Sequence, residues 1–182
     1  MRKLILLLLV VVFFCNGSRA QWYERETGVL LSDTDWRKAS SGFGAALLLS
    51  DNPRALFDEW SNSPESHAPI LPTLNPTSKI KRGDVITAVI VFSGCGQAGA
   101  SCAAMADFRT LKPDRSVYAD SPKNRMWSRA APKSGNVMLS EAYLQIRIEP
   151  EDPIGIYQVQ AIVTEPRSKA KLKLTQEFSV IP

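Results

Sequence analysis

Few residues in this chain have the types and spacing that catalysis requires. His67 is the only histidine, and it lies in a proline-rich stretch with no serine or cysteine motif beside it. A Ser-His-Asp or Cys-His device needs a general base held on a rigid frame, so we interpret His67 as a solvated loop residue. The chain also lacks a nucleophile-elbow, P-loop or paired-cysteine zinc pattern. We therefore predict no catalytic residues, no cofactor and no enzymatic activity.

The densest group of carboxylates lies in the segment Glu149–Asp152, which contains Pro150 and is followed by Pro153. Calcium takes several oxygen ligands, so one hypothesis is a calcium site here, with Asp33 and Asp35 contributing from afar. The alternative is a tight acidic turn between two strands, in which Gly155 permits the bend. No spaced Asp-x-Asp partner lies nearby, which favours the turn, and we predict no metal ligands.

The first twenty residues have the composition of a secretory signal. Arg2 and Lys3 precede an unbroken apolar run, Leu4–Cys15, and small residues lie one and three positions before the expected cleavage point after Ala20. The run is well short of the roughly 20 residues that span a bilayer, so no membrane span is predicted. The alternative is a lipoprotein anchored through Cys15, although phenylalanine replaces the small residue that should precede it.

Two cysteines remain beyond this segment, Cys95 and Cys102. In an oxidising compartment, two nearby cysteines most simply pair, and the glycines between them ease closure of the small ring. The loop-entropy model gives such a ring about 2–3 kcal/mol of stabilisation. A redox or metal pair is the alternative, but the Cys-x-x-Cys spacing and nearby histidines are missing. We predict a Cys95–Cys102 disulfide on a loop beyond a strand end.

Charge argues against one class of partner. Residues 1–20 hold three of the 22 basic residues and none of the 18 acidic ones, so their removal lowers the net charge from +4 to about +1. A nucleic-acid binder needs a strong positive field. Nucleic acid is therefore not expected as a partner.

The sequence pattern favours strands over helices. Period-two alternation of half-buried strands runs through Leu144–Ile148, Tyr157–Val163 and Leu172–Val180. The nearly continuous apolar stretch Val85–Phe92 suits a central strand covered on both faces. With the weaker candidates, we count seven or eight strands and predict an all-β antiparallel sandwich.

One short helix is expected near residues 52–61, because Asn52 can cap it and Pro53 fits its first turn. A proline-rich connection, residues 64–76, follows the helix, and a long loop containing Trp127 is expected over residues 119–136. We divide the chain into a signal peptide (1–20), an N-terminal arm or leading strand (21–41) and a sandwich domain (42–182).

Three lysines, Lys169, Lys171 and Lys173, fall on one face of the last strand. One hypothesis is that they attract an anionic lipid or glycan. The other is that they prevent edge-to-edge aggregation, which is the commoner use of lysines along an exposed strand. The pattern favours protection.

The segment from Leu144 to Val163 resembles the strand–turn–strand signature of immunoglobulin-like sandwiches, as found in fibronectin-type and macroglobulin domains and in exported bacterial domains. Asp152, Gly155 and Tyr157 occupy the places of the aspartate, glycine and corner tyrosine of that signature. The resemblance implies an immunoglobulin-like fold in which the Tyr157 hydroxyl bonds backbone near the corner. Two extra residues between Asp152 and Gly155, and the lack of an inter-sheet disulfide, depart from the pattern.

Together these features predict an exported, non-catalytic β-sandwich protein, periplasmic or secreted, whose partner is another protein or envelope component. The alternative is a structural or strand-lending accessory of an envelope assembly. A metal- or glycan-dependent enzyme is the third hypothesis, and it requires a pocket that gathers several carboxylates.

Overall fold

A computed structural model describes Trp22 and residues 29–62, 77–96, 101–132 and 135–182, with only the backbone of residue 62. The predicted signal, Cys15 and His67 lie outside the described residues. The described elements, in chain order, are β1 Arg37–Ser40, β2 Phe43–Ser50, α1 Pro53–Asn62, β3 Lys79–Lys81, β4 Val85–Ser93, β5 Met105–Leu111, β6 Val117–Arg125, β7 Met138–Arg147, β8 Gly155–Glu165 and β9 Ala170–Ile181.

These nine strands form two sheets, with the orders β1-β2-β4-β7 and β3-β9-β8-β5-β6. All pairings are antiparallel except that of β3 with β9. The predicted all-β sandwich is therefore confirmed, and the helix lies within one residue of its predicted bounds. The structure has more strands than expected because β1 and β3 are only four and three residues long, too short to show an alternating pattern.

The main core lies between the sheets and is built from the alternate residues of each strand. Its large, fully buried side chains include Phe43, Phe92, Phe108, Tyr157 and Phe178. Burying each such side chain contributes about 1.5–3 kcal/mol relative to exposure. The alternation seen in the sequence thus marks the inward face of each sheet.

A second apolar cluster covers the outer face of the four-stranded sheet, where Leu56 of α1 and Trp22 pack against Val89 and Val91. Both faces of β4 are consequently buried, as its continuous apolar sequence predicts. Gly44 leaves room for Trp22, because a Cβ there would lie 3.1 Å from the indole nitrogen. No helix of the described residues is long and apolar enough to cross a membrane.

The expected loop over residues 119–136 was wrong in its first part, because β6 continues to Arg125. The strand shows no alternation since it forms one edge of its sheet, and five of its nine residues are exposed while none is buried. Its pairing with β5 is irregular between Ser121 and Asn124. There Lys123 has a positive φ of 59°, and the Asn124 amide bonds the Ala106 carbonyl at 3.1 Å.

The two sheets are joined along both of their open sides. On one side, Glu141 N of β7 donates to Met126 O, just beyond β6, at 2.9 Å. On the other, Thr175 N of β9 donates to Asp35 O at 2.8 Å. These bonds fix which parts of each sheet edge stay open.

Candidate functional site

The turn between β7 and β8 brings Asp152 into a buried position at one end of the sandwich. Its Oδ2 accepts hydrogen bonds from Glu149 N at 2.9 Å and from the Tyr118 hydroxyl at 2.5 Å. Lys112 Nζ lies 3.6 Å from Oδ1, and the Tyr118 hydroxyl is also 2.6 Å from the Arg147 carbonyl. The β5–β6 hairpin and the β7–β8 turn therefore meet at one carboxylate.

The electrostatics of this cluster favour an ionised Asp152. Burial opposes ionisation, but the hydrogen bonds from Tyr118 and Glu149 N and the charge of Lys112 outweigh it, so the pKa of Asp152 is lowered. Burial, followed by the hydrogen bond to Asp152, raises the pKa of Tyr118. The pair is thus a stable carboxylate and a neutral phenol, which suits a structural role rather than proton transfer near neutral pH.

Tyr157 and Gly155 lie beside this carboxylate. The Tyr157 hydroxyl donates to the Pro153 carbonyl at 2.9 Å, and its ring stacks on Phe178. Gly155 has a φ of +136°, and a Cβ there would lie 3.0 Å from a ring carbon of Pro113. The structure therefore gathers Asp152, Gly155 and Tyr157 in one corner, where Asp152 and the Tyr157 hydroxyl bond to other groups of the protein.

The calcium hypothesis loses its best ligand in this arrangement. Asp152 is occupied by two protein donors and has a lysine beside it, whereas Glu149 and Glu151 are exposed. Asp33 Oδ1 accepts the backbone amide of Ala39 in β1. Across the described ranges, no group of three or more His, Cys, Asp or Glu residues could hold a metal ion.

The opposite end of the sandwich holds the disulfide. Cys95 and Cys102 are bonded, with an S–S distance of 2.01 Å, and both are buried. The predicted disulfide is therefore confirmed. Ala130 pairs with Ser101 in an isolated β-bridge. The indole N–H of Trp127 donates to the Ala130 carbonyl at 2.7 Å.

Trp127 belongs to the core rather than to a binding surface. It is buried, and its ring contacts Phe92 edge-on. The Arg129 guanidinium covers the ring at 3.9 Å and pairs with Glu141 at 3.0 Å. Hydrogen bonds from Ser128 and from Arg129, with a smaller contribution from the charge of Arg129, outweigh burial and lower the pKa of Glu141, so this ion pair persists well below neutral pH.

Glu165, at the end of β8, is a buried carboxylate that sequence reasoning missed. Its Oε2 accepts Ser168 N at 2.6 Å, while Oε1 has no hydrogen-bond partner among the described residues. The β8 alternation places Glu165 on the inward face, after Val163. Continuing that alternation by one step would have found it.

Among the described residues, four of the seven large exposed apolar side chains lie towards one corner of the five-stranded sheet, whereas Val29, Leu30 and Tyr143 lie elsewhere. Ile154 and Ile156 flank Gly155, which pairs with Val180, and Ile181 follows on β9. Val117 lies two strands away through the Leu111–Gln158 pairing. We call this set the apolar corner; its exposed fractions are 50% for Ile154, 57% for Ile156, 38% for Ile181 and 53% for Val117.

No family model matches this chain, and no curated protein matches it. Among solved structures it is similar to the alkylpurine DNA glycosylase AlkC of Pseudomonas fluorescens bound to DNA containing an abasic site analog. The TM-score is 0.37 and the identity 13%, over 58% of this chain and 28% of that one.

Two further structures are similar at the same level. A Niemann-Pick type C2 protein from the Japanese carpenter ant has a TM-score of 0.35 and 11% identity, over 57% of this chain and 79% of that one. A family 123 glycoside hydrolase from Clostridium perfringens has a TM-score of 0.34 and 11% identity, over 75% and 27%. The chain spans about a quarter of the glycosylase and of the hydrolase, and these likenesses carry no functional argument.

Proposed function

We propose that this chain is an exported, non-catalytic β-sandwich protein, periplasmic or secreted, that binds another protein of the cell envelope. In this proposal it is immunoglobulin-like, residues 1–20 are a signal peptide, and cleavage follows Ala20. The apolar corner is the observation that carries the proposal. Large apolar patches on a soluble protein commonly mark interaction surfaces.

The perturbed carboxylates support a non-catalytic role because each has a structural partner. Asp152 anchors the β7–β8 turn, Glu141 fixes the Arg129 cover on Trp127, and Asp114 accepts bonds from Ser116 within the β5–β6 turn. Structural ion-pair and hydrogen-bond networks also shift the pKa values of carboxylates. Asp152 is buried, and the exposed carboxylates of Asp114 and Glu141 are engaged by neighbouring protein groups.

Export is supported by the buried Cys95–Cys102 disulfide, since such bonds persist in oxidising compartments. The intact mass of the protein recovered from outside the cytoplasm tests this part. We expect a chain that begins at Gln21. A chain that begins at Cys15 with added acyl mass would contradict the proposed cleavage.

Site-specific photocrosslinking tests the binding role. A photoreactive residue is placed at Ile156 or Ile181 of the protein expressed in its own cells, with Leu30 as the matched control because it is an exposed apolar residue outside the corner. We expect one discrete protein adduct from the corner positions and none from position 30. Absence of adducts from both corner positions, or equal adducts from all three, would argue against this surface.

A second candidate, the strand-sharing accessory, is favoured by a different observation. Parts of β7 and of β9 lie on sheet edges with no strand paired beside them in the described residues. Such edges can accept an extended segment of another protein through main-chain hydrogen bonds. This candidate does not need the apolar corner.

A further inference from the structure

The middle of β7 is an open sheet edge. Ile148 N donates to Asp84 O of the neighbouring segment at 3.1 Å, and the β4–β7 register is regular from Val89↔Tyr143 to Val85↔Arg147. The N–H and C=O groups of successive residues point to opposite sides of a strand. Those of the odd-numbered residues from 143 to 147 therefore point away from β4. The N–H and C=O groups of Tyr143 and Gln145 therefore face outward.

Both ends of this open edge are closed. Glu141 N is bonded to Met126 O, and the Arg147 carbonyl lies 2.6 Å from the Tyr118 hydroxyl. Within the described ranges, no backbone pairs with the outward groups of Tyr143 and Gln145. We call residues 142–146 the β7 window. At about 3.4 Å per residue, it admits a strand of roughly four residues.

The core is less well covered beneath this window than elsewhere. Leu144 faces the core from β7 but is only half-buried. Ala119 and Ser121 face it from β6, since they pair with the buried Thr110 and Phe108, and both are half-buried as well. In contrast, the inward positions of β5 and β8 are buried. An apolar side chain inserted here would remove apolar surface from water.

The other open edge, on β9, is guarded by charge. Thr175 N and Ser179 N bond outward to Asp35 O and Ser78 O, so Lys171 and Lys173 also present their main-chain groups outward. Their exposed lysines oppose addition of a strand. The β7 window presents the uncharged Tyr143 and Gln145 instead.

We propose that the β7 window binds a short extended segment of another protein by strand addition. The unpaired groups fix the class of ligand, because only an extended backbone supplies donors and acceptors at strand spacing. The segment carries an apolar residue towards Leu144 and uncharged residues beside Tyr143. This inference deepens the strand-sharing candidate and is independent of the apolar corner.

Charge at the two ends of the window sets the orientation. Exposed Arg125 lies next to the Met126–Glu141 end, where Arg129 is paired with Glu141. At the other end, the exposed carboxylates of Glu149 and Glu151 outnumber the exposed Arg147 guanidinium. An antiparallel segment, the commoner pairing, has its N-terminus at the Arg147 end. Electrostatic complementarity then assigns a basic residue to its N-terminal flank and an acidic residue to its C-terminal flank.

A synthetic ten-residue peptide tests the proposal on the mature protein. It has lysine near its N-terminus, alternating valine and threonine in the centre, and glutamate near its C-terminus. Amide hydrogen exchange, followed by NMR, is measured with and without the peptide. We expect exchange at Tyr143 and Gln145 to slow about tenfold or more at saturation, while Lys171 and Lys173 exchange at the same rate as before. Unchanged exchange at both window amides would overturn the proposal.

Two N-methylated peptides distinguish main-chain hydrogen bonding from non-specific binding. Methylation on the residues that face β7 removes the donors and should weaken binding at least about tenfold, whereas methylation on the alternate residues should not. Equal loss with both peptides would contradict strand addition. A peptide with lysine and glutamate exchanged should bind more weakly, and equal binding would overturn the orientation.

Protein variants complete the test. Gln145→Pro removes an outward N–H without breaking a β4 bond, a position where edge strands tolerate proline, and should abolish peptide binding. Lys173→Pro, its counterpart on β9, should leave binding unchanged. If the window amides become more protected from exchange as the protein concentration rises in the absence of peptide, the edge pairs with a second copy of the chain. That result would overturn the proposal. Ile156→Glu should leave peptide binding intact. A failure of strand addition at β7 can therefore be distinguished from a failure of partner binding at the apolar corner.

Discussion

Asp152 receives bonds from a backbone amide and a phenol, and a lysine lies beside its second oxygen. Hydrogen bonds to a charged acceptor each contribute about 1.5–3 kcal/mol net. Loss of the carboxylate also leaves Glu149 N without its partner. The role of Asp152 is thus to hold the β7–β8 turn together with Tyr118 and Lys112.

We expect Asp152→Ala to lower the free energy of unfolding by about 2–3 kcal/mol at pH 7. Because the folded pKa of Asp152 is lowered, its contribution is present above the unfolded value of about 3.9 and is lost as the pH falls through the folded pKa. The difference between wild type and variant should therefore shrink below about pH 4. Denaturant unfolding at pH 7 and pH 3 measures it.

The control for this prediction is Glu151→Ala, which removes an exposed carboxylate of the same turn. Its effect should stay within about 0.5 kcal/mol at either pH. A wild-type advantage over Asp152→Ala that is equal at pH 7 and pH 3 would show that ionisation of Asp152 does not stabilise the fold.

Helix α1 shows what local sequence can predict about an element. Asn52 caps the helix, with its Oδ1 accepting Ala55 N at 3.2 Å, and Pro53 is its first residue. Both features are properties of adjacent residues, and they set the start of the helix correctly. By contrast, β6 was missed because an edge strand with exposed side chains has no alternating pattern to detect.

Replacement of the cap should give a graded loss of stability. We expect Asn52→Ala to cost about 1 kcal/mol and Asn52→Gly only a few tenths, because glycine adopts the cap conformation more easily than alanine. Thermal or denaturant unfolding measures both. Equal stability of wild type and Asn52→Ala would mean that packing of Leu56 alone holds the helix.

The cysteine loop is a second element whose contribution can be measured. Joint substitution Cys95→Ala and Cys102→Ala should lower the free energy of unfolding by about 2–3 kcal/mol. Reduction of the wild-type protein should have a similar effect, since both release the same ring. Coinciding unfolding curves for the oxidised and reduced proteins would contradict the stabilising role.

For the whole molecule, alternation predicted the sandwich and its central strands but not the neighbours of each strand. Whether β7 or β9 has an open side depends on distant residues, such as Met126 and Asp35, that reach across to the other sheet. The apolar corner was equally hidden, because Ile156 looks the same in sequence whether its face of the sheet is covered or open. Local patterns therefore determine the layers, whereas the exposed edges follow from the assembled topology.

The two open edges predict opposite effects of charge on self-association. Replacing the exposed lysines of β9, as in Lys171→Thr with Lys173→Thr, should speed aggregation on mild heating, because the uncharged β9 edge can pair with other chains. Adding lysines to the β7 window, as in Tyr143→Lys with Gln145→Lys, should slow aggregation. Light scattering below the unfolding midpoint measures both, and salt should weaken the lysine effect since it screens exposed charges. If both double variants aggregate at the wild-type rate, the lysines serve solubility in general rather than the edge.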